Sequence, residues 1–140
     1  MQKKAFNFLI AVVSVAVFIL LFLANTSFCL KDFNGHFEVY RFSSSSNAII
    51  ISIRKEDMKY ILNKTGEGCF LTENIEVDEI LSMLSAKVVF TENTENGTSY
   101  YAYCGNIKMS KIINNKQINV QIHKSEQGIK IGTPLIYGSF

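Results

Sequence analysis

Few residues in this chain could carry nucleophilic, acid–base or metal chemistry: the cysteines Cys29, Cys69 and Cys104, and the histidines His36 and His123. A cysteine nucleophile needs a base beside it, and Cys69 or Cys104 could meet His123 only through the fold. A metal site needs converging ligands. Two histidines in separate predicted strands, with no CxxC or zinc spacing around the cysteines, do not supply them, so each histidine reads as a surface residue on a sheet. Gly66-Glu67-Gly68 lacks the further glycines and the strand-to-helix setting of a phosphate loop and reads as a turn. Glu76, Asp78 and Glu79 lack the alternating oxygen ligands and central glycine of a calcium loop. They suit the first turn of a helix, where the dipole favours negative charge. Tyr100, Tyr101 and Tyr103 form the candidate binding surface, with ring faces for a base, a sugar or a small ligand. The same alternation equally suits packing across strands. Cys69 and Cys104 form a candidate disulfide, permitted outside a reducing compartment, with buried or free thiols as the alternative. No catalytic, cofactor or metal residue is assigned.

What positions these residues begins with the N-terminus. Ala5 to Ala24 is a run of twenty residues without a charge, in which only Asn7 and Ser14 are polar. As a helix it spans about 30 Å, the thickness of a bilayer hydrocarbon core. That is long for a cleaved signal core. Lys3 and Lys4 precede it and favour a cytoplasmic N-terminus, with the rest of the chain outside a cell membrane that it crosses once. Cleavage stays open, because Ser27 and Cys29 hold the −3 and −1 positions of a signal-peptidase site. Thr26-Ser27-Phe28-Cys29 also resembles a lipoprotein box, although Phe28 is too large for its position. Residues 1–29 are thus expected to be an anchor or signal segment, and residues 30–140 one exported domain.

Roughly 110 residues suffice for a single core. Apart from Lys3 and Lys4, the twelve lysines and arginines balance the twelve carboxylates. A neutral domain lacks the positive field that nucleic-acid binding requires. The charges are nonetheless split along the chain. Seven carboxylates face only Lys87 between Glu67 and Glu95, and five lysines face only Glu126 from Tyr100 onward. Solvated faces on opposite sides explain this, as would a surface for a partner.

The domain reads as α+β, an antiparallel sheet packed by one or two helices. His36 to Phe42 alternates as a strand, followed by a serine loop, Ser43 to Ser46. Ala48 to Ile53 has the β-branched run of a buried strand. Arg54 to Asn63 suits one or two helical turns, and Gly66 and Gly68 break the chain before a short strand at Cys69 to Thr72. The clearest helix is Val77 to Ala86, with Asn74 as its cap and Val77, Ile80, Leu81 and Leu84 as its apolar stripe. Lys87–Thr91 and Ser99–Cys104 flank Asn96-Gly97, a hairpin signal. A second hairpin joins Gln117–His123 to Gly128–Ile131. Pro134 ends the last strand, and the tail to Phe140 packs on the domain. Asn25, Asn63 and Asn96 head glycosylation sequons of a kind frequent by chance.

The residues Ile118-Asn119-Val120-Gln121-Ile122, followed by Ile131-Gly132-Thr133-Pro134-Leu135-Ile136 and an aromatic terminus, resemble the C-terminal part of the YwmB family of spore-forming Firmicutes, labelled TATA-box-binding-like. The passage from the helix Val77–Leu84 into Ser85-Ala86-Lys87-Val88-Val89 is similar too. The chain is much shorter than longer members and has room for one lobe. The resemblance implies half of a TATA-binding-protein-like arrangement and supplies no catalytic residue. The expectation is a membrane-tethered envelope protein, a non-enzymatic module that binds a protein or envelope component and no nucleic acid or cofactor. The alternatives are an exported enzyme with a reactive cysteine, or a small-ligand carrier using the three tyrosines.

Overall fold

The computed structural model describes residues 2–24, 27–41, 48–61 and 63–138. The serine loop, the sequon at Asn25 and the end of the aromatic tail lie outside them. Helix α1 (Gln2–Ala24) is long and apolar enough to cross a membrane, with a mean hydropathy of 2.4 over Lys3–Leu21 and nothing packed against it. The remaining elements are β1 (Gly35–Arg41), β2 (Ile49–Ile53), a 3₁₀ helix (Lys55–Tyr60), β3 (Gly66–Leu71), α2 (Val77–Leu84), β4 (Lys87–Thr94), β5 (Gly97–Tyr103), β6 (Lys111–Ile113), β7 (Lys116–Ile118), β8 (Val120–Ser125) and β9 (Gly128–Thr133). Seven strands form one antiparallel sheet in the order β2-β1-β3-β9-β8-β5-β4, and β6 and β7 pair separately. The domain is α+β.

One face of the sheet carries the main core. Phe37, Cys69, Ile131, Ile122 and Ala102 line it by strand alternation, and Phe28, Leu30, Phe33, Met58, Val77 and Ile80 pack onto it. Packing therefore reaches back past the expected boundary at Cys29 to Phe28. On the opposite face, Ile136 and Tyr137 of the C-terminal segment close over Tyr40, whose ring meets Tyr137 edge-on at 5.1 Å. Proline follows a cis peptide bond at Thr133-Pro134, where β9 ends.

Several expectations need correction. The run Ile49–Ile53 is an edge strand paired only with β1, and Ile49 is 51% exposed. Its β-branching is a strand signal, which burial did not follow. Gly66 and Gly68 do not break the chain but lie inside β3. A Cβ at Gly68 would come 2.1 Å from the Tyr40 hydroxyl, and one at Gly66 would come 2.5 Å from the Thr133 carbonyl. Close approach, not turn geometry, demands glycine there. Helix α2 begins one residue after Glu76, which makes no side-chain cap, so Asn74 is not the cap. It ends on Ser85 in the left-handed conformation. The β6–β7 hairpin was not expected, although Asn114-Asn115, both at positive φ, is a suitable two-residue turn.

Candidate functional site

The antiparallel order gives the sheet two distinct ends. One end gathers the close of β1, β3's start, β5's finish and the junction at Ser27–Cys29. At the other end lie the β4–β5 and β8–β9 turns and the start of α2.

The junction is held by a buried ion pair. Glu67 faces the core, and its carboxylate accepts hydrogen bonds from the Cys29 and Leu30 backbone N–H groups, the latter at 3.0 Å. Lys64 Nζ lies 3.0 Å from its second oxygen. That ammonium also donates to the Ser27 carbonyl and lies 3.9 Å from the centroid of the Phe28 ring. A buried carboxylate is tolerated because its lone pairs are taken up in this way.

At the far end the two turns enclose an open cleft of about 760 Å³. Side chains stiffen both walls. Thr94 donates to the Gly97 carbonyl at 3.1 Å, Thr98 to Asn93 at 2.9 Å, and Ser125 to the Gly128 carbonyl at 3.2 Å. Gly97, at φ 147°, runs so close to β8 that a Cβ would come 2.1 Å from the Lys124 carbonyl. Glu95, Asn96, Glu126 and Gln127 are left exposed. The cleft thus offers carboxylates and amides, groups that receive cations and hydrogen bonds. Lys124 on its wall pairs with Glu76 at 2.9 Å.

Next to the cleft Ser99 and His123 pair across β5 and β8, with Oγ 2.9 Å from Nδ1. Each is 2% exposed. The expected surface histidine is therefore found only at His36; His123 is buried. Burial pushes its pKa down, against a hydrogen bond with the Asn96 backbone that raises it. Their contact is a serine–histidine pair without solvent access, so the geometry favours a structural hydrogen bond. Nothing in the sequence joined these residues, because β5 and β8 meet only through the tertiary fold.

Strand alternation parts the three tyrosines. Tyr100 packs against the core, while Tyr101 points to the opposite face and stacks on Phe90 with centroids 4.4 Å apart. Its hydroxyl donates to Glu92 at 3.1 Å, and burial raises its pKa, followed by that bond. Tyr103 is exposed at the end of β5. They do not line one groove.

Cys69 and Cys104 are free and buried, not joined in a disulfide. Cys69 lies on β3 and Cys104 just beyond β5, three strand spacings apart in the sheet. That is about 14 Å, against a limit near ~7 Å between α-carbons. Burial pushes the Cys69 thiol up to about 12, and burial aided by Glu67 pushes Cys29 up to about 11. Both stay protonated at neutral pH, which disfavours nucleophilic use. Cys104 donates to the Leu84 carbonyl at 3.0 Å. Among the described residues no three acidic, cysteine or histidine side chains converge as a metal site.

An α+β domain that follows one apolar helix is the class these features define. No family model, curated protein or solved structure matches the chain.

Proposed function

We propose that this is a membrane-tethered protein of the cell envelope, whose outward-facing domain is a non-enzymatic binding module. The cleft between the β4–β5 and β8–β9 turns takes a polar, cation-bearing segment of a partner protein. The observation that carries this reading is the cleft's position at the end of the sheet opposite Ser27–Cys29, where the chain arrives from α1. Strands of six or seven residues place the two ends roughly 20 Å apart. A domain held at a bilayer by one end presents the other to whatever approaches. Lys3 and Lys4 ahead of α1 support the outward orientation. Membership of the YwmB family belongs to the same proposal and rests on the resemblance carried by Ile118 to Ile122 and Ile131 to Ile136.

The test is site-specific photocrosslinking in intact cells, with the crosslinker at Asn96 or Gln127 of the full chain. A discrete protein adduct is expected from both positions, and Glu95→Lys with Glu126→Lys should abolish it. Adducts that survive charge reversal, or arise equally from Lys31, would reject the cleft as the binding site. Protease added outside the cells reports separately on orientation.

A further inference from the structure

The end of the domain next to α1 has a surface unlike the other. Exposed cations gather here: Arg41 closes β1, Lys87 opens β4, Lys108 follows the end of β5, and Lys116 lies on the β6–β7 hairpin that springs from it, with its Nζ 5.7 Å from the centroid of the Phe90 ring. The Glu67 carboxylate at this end is sealed by Lys64, and just past the junction exposed Asp32 is offset by its exposed neighbour Lys31. The far end is acidic, with Glu73, Glu76, Glu95 and Glu126 on its loops and turns and Asp78 and Glu79 in the first turn of α2.

Exposed apolar side chains outside α1 mostly follow the same division, Tyr60 on the 3₁₀ helix at 70% exposure standing apart. Ile49, Val88, Tyr103, Met109 and Ile112 are 51%, 43%, 37%, 39% and 69% exposed, and all belong to the cationic end or its hairpin. No large apolar side chain is comparably exposed on the two turns at the acidic end. A surface that mixes cations with exposed aliphatic and aromatic groups suits the boundary between lipid headgroups and acyl chains.

The chain length decides how near that surface comes. Only residues 25–27 separate Ala24, the end of α1, from buried Phe28. Whatever their path, Ala24 and Phe28 are at most about 14 Å apart. Anionic headgroups act over a Debye length of about 8–10 Å, so Phe28 sits within or a little beyond reach of their field, and the cations share its end of the sheet.

We infer that the domain docks through this end on an anionic lipid surface, the leaflet from which α1 emerges, with the lysines on headgroups and the apolar side chains at the interface. This rests on α1 remaining in the bilayer as a tether. Docking fixes the domain's direction: the acidic end, cleft included, is repelled from the same leaflet and points away from it.

The test uses the full chain in vesicles of phosphatidylcholine alone or of phosphatidylcholine with phosphatidylglycerol. An amine-acylating reagent is added, and the rate at each lysine is read by peptide mass spectrometry. On anionic vesicles Lys87, Lys108 and Lys116 should react about fivefold more slowly, the Boltzmann factor for one cation held at an anionic surface. High salt should restore them, while Lys55 and Lys124 at the far end keep their rates. Lys108→Glu with Lys116→Glu should remove the protection of Lys87. Unchanged rates in chains that float with the vesicles overturn docking and leave the tether standing. Failure to float overturns the tether, and docking with it. Equal protection on neutral vesicles, or from a soluble polyanion, overturns the anionic lipid surface as the occupant.

Discussion

Glu67 shows how one side chain can tie a helix to a fold. Two backbone donors and one ammonium converge on it, none of them adjacent in sequence except Lys64 three residues away. Glu67→Gln keeps the shape but leaves a buried ammonium without its counter-charge. A loss of about 3 kcal/mol is expected in denaturant unfolding of the full chain in detergent; replacing both Lys64 and Glu67 by apolar residues should cost less. His123 sets a pH dependence. Burial holds its folded pKa below the ordinary 6.5, so the unfolded chain binds the proton more readily. Stability is then full above about pH 6.5 and falls as the pH drops through that value toward the lower folded pKa. Thermal unfolding between pH 7.5 and 5 should show this decline, and His123→Gln should flatten it. An equal slope in the variant would assign the acid sensitivity elsewhere.

Among the elements, β3 was the least legible and is the most constrained. Its glycines look like punctuation in the sequence, yet they clear space for the Tyr40 ring and the Thr133 carbonyl. Gly68→Ala should cost about 1–3 kcal/mol through overpacking, measured as a lower unfolding midpoint with the far-UV spectrum preserved. Alternation was a better guide: Phe37 and Val39 face the core as a period of two requires. It could not reveal that Tyr40, on the other face, is fully buried under the C-terminal segment. The β6–β7 hairpin was missed because three-residue strands carry little periodicity. Buried Asn119 then pins its exit, accepting from the Cys104 N–H at 2.7 Å and donating to the carbonyls of Cys104 at 2.7 Å and Ile107 at 2.9 Å.

For the molecule as a whole, the junction matters more than the composition. Phe28 stands four residues beyond α1 and belongs to the core, so helix and domain leave little slack between them. Phe28→Ala should destabilise the domain by about 3–5 kcal/mol, read by chemical denaturation; a change within 0.5 kcal/mol would mean that the aromatic ring is dispensable. Cleavage after Cys29 would remove the same ring together with one of the N–H donors to Glu67. The charge split counted along the chain becomes a split between the two ends of the sheet, because α2 starts beside Lys124 and finishes beside Cys104. Its acidic first turn thus joins the acidic turns at one end. The lysines on β4's start and beyond β5 collect at the other.

By itself the sequence determined the apolar helix, the α+β character, a hairpin in the Glu92–Thr98 stretch (its turn falls on Glu95 and Asn96, one residue before the expected dipeptide) and the small number of cysteines and histidines. Each depends on local properties such as run length, periodicity, turn chemistry and composition. Tertiary structure alone decided which strands lie side by side. From that pairing came the Ser99–His123 contact, the parting of Tyr100 from Tyr101 and Tyr103, the distance between Cys69 and Cys104, and the cleft between two turns thirty residues apart in sequence. The physical reason is that strand order follows from burial summed over the entire sheet, and no local window of sequence contains that sum.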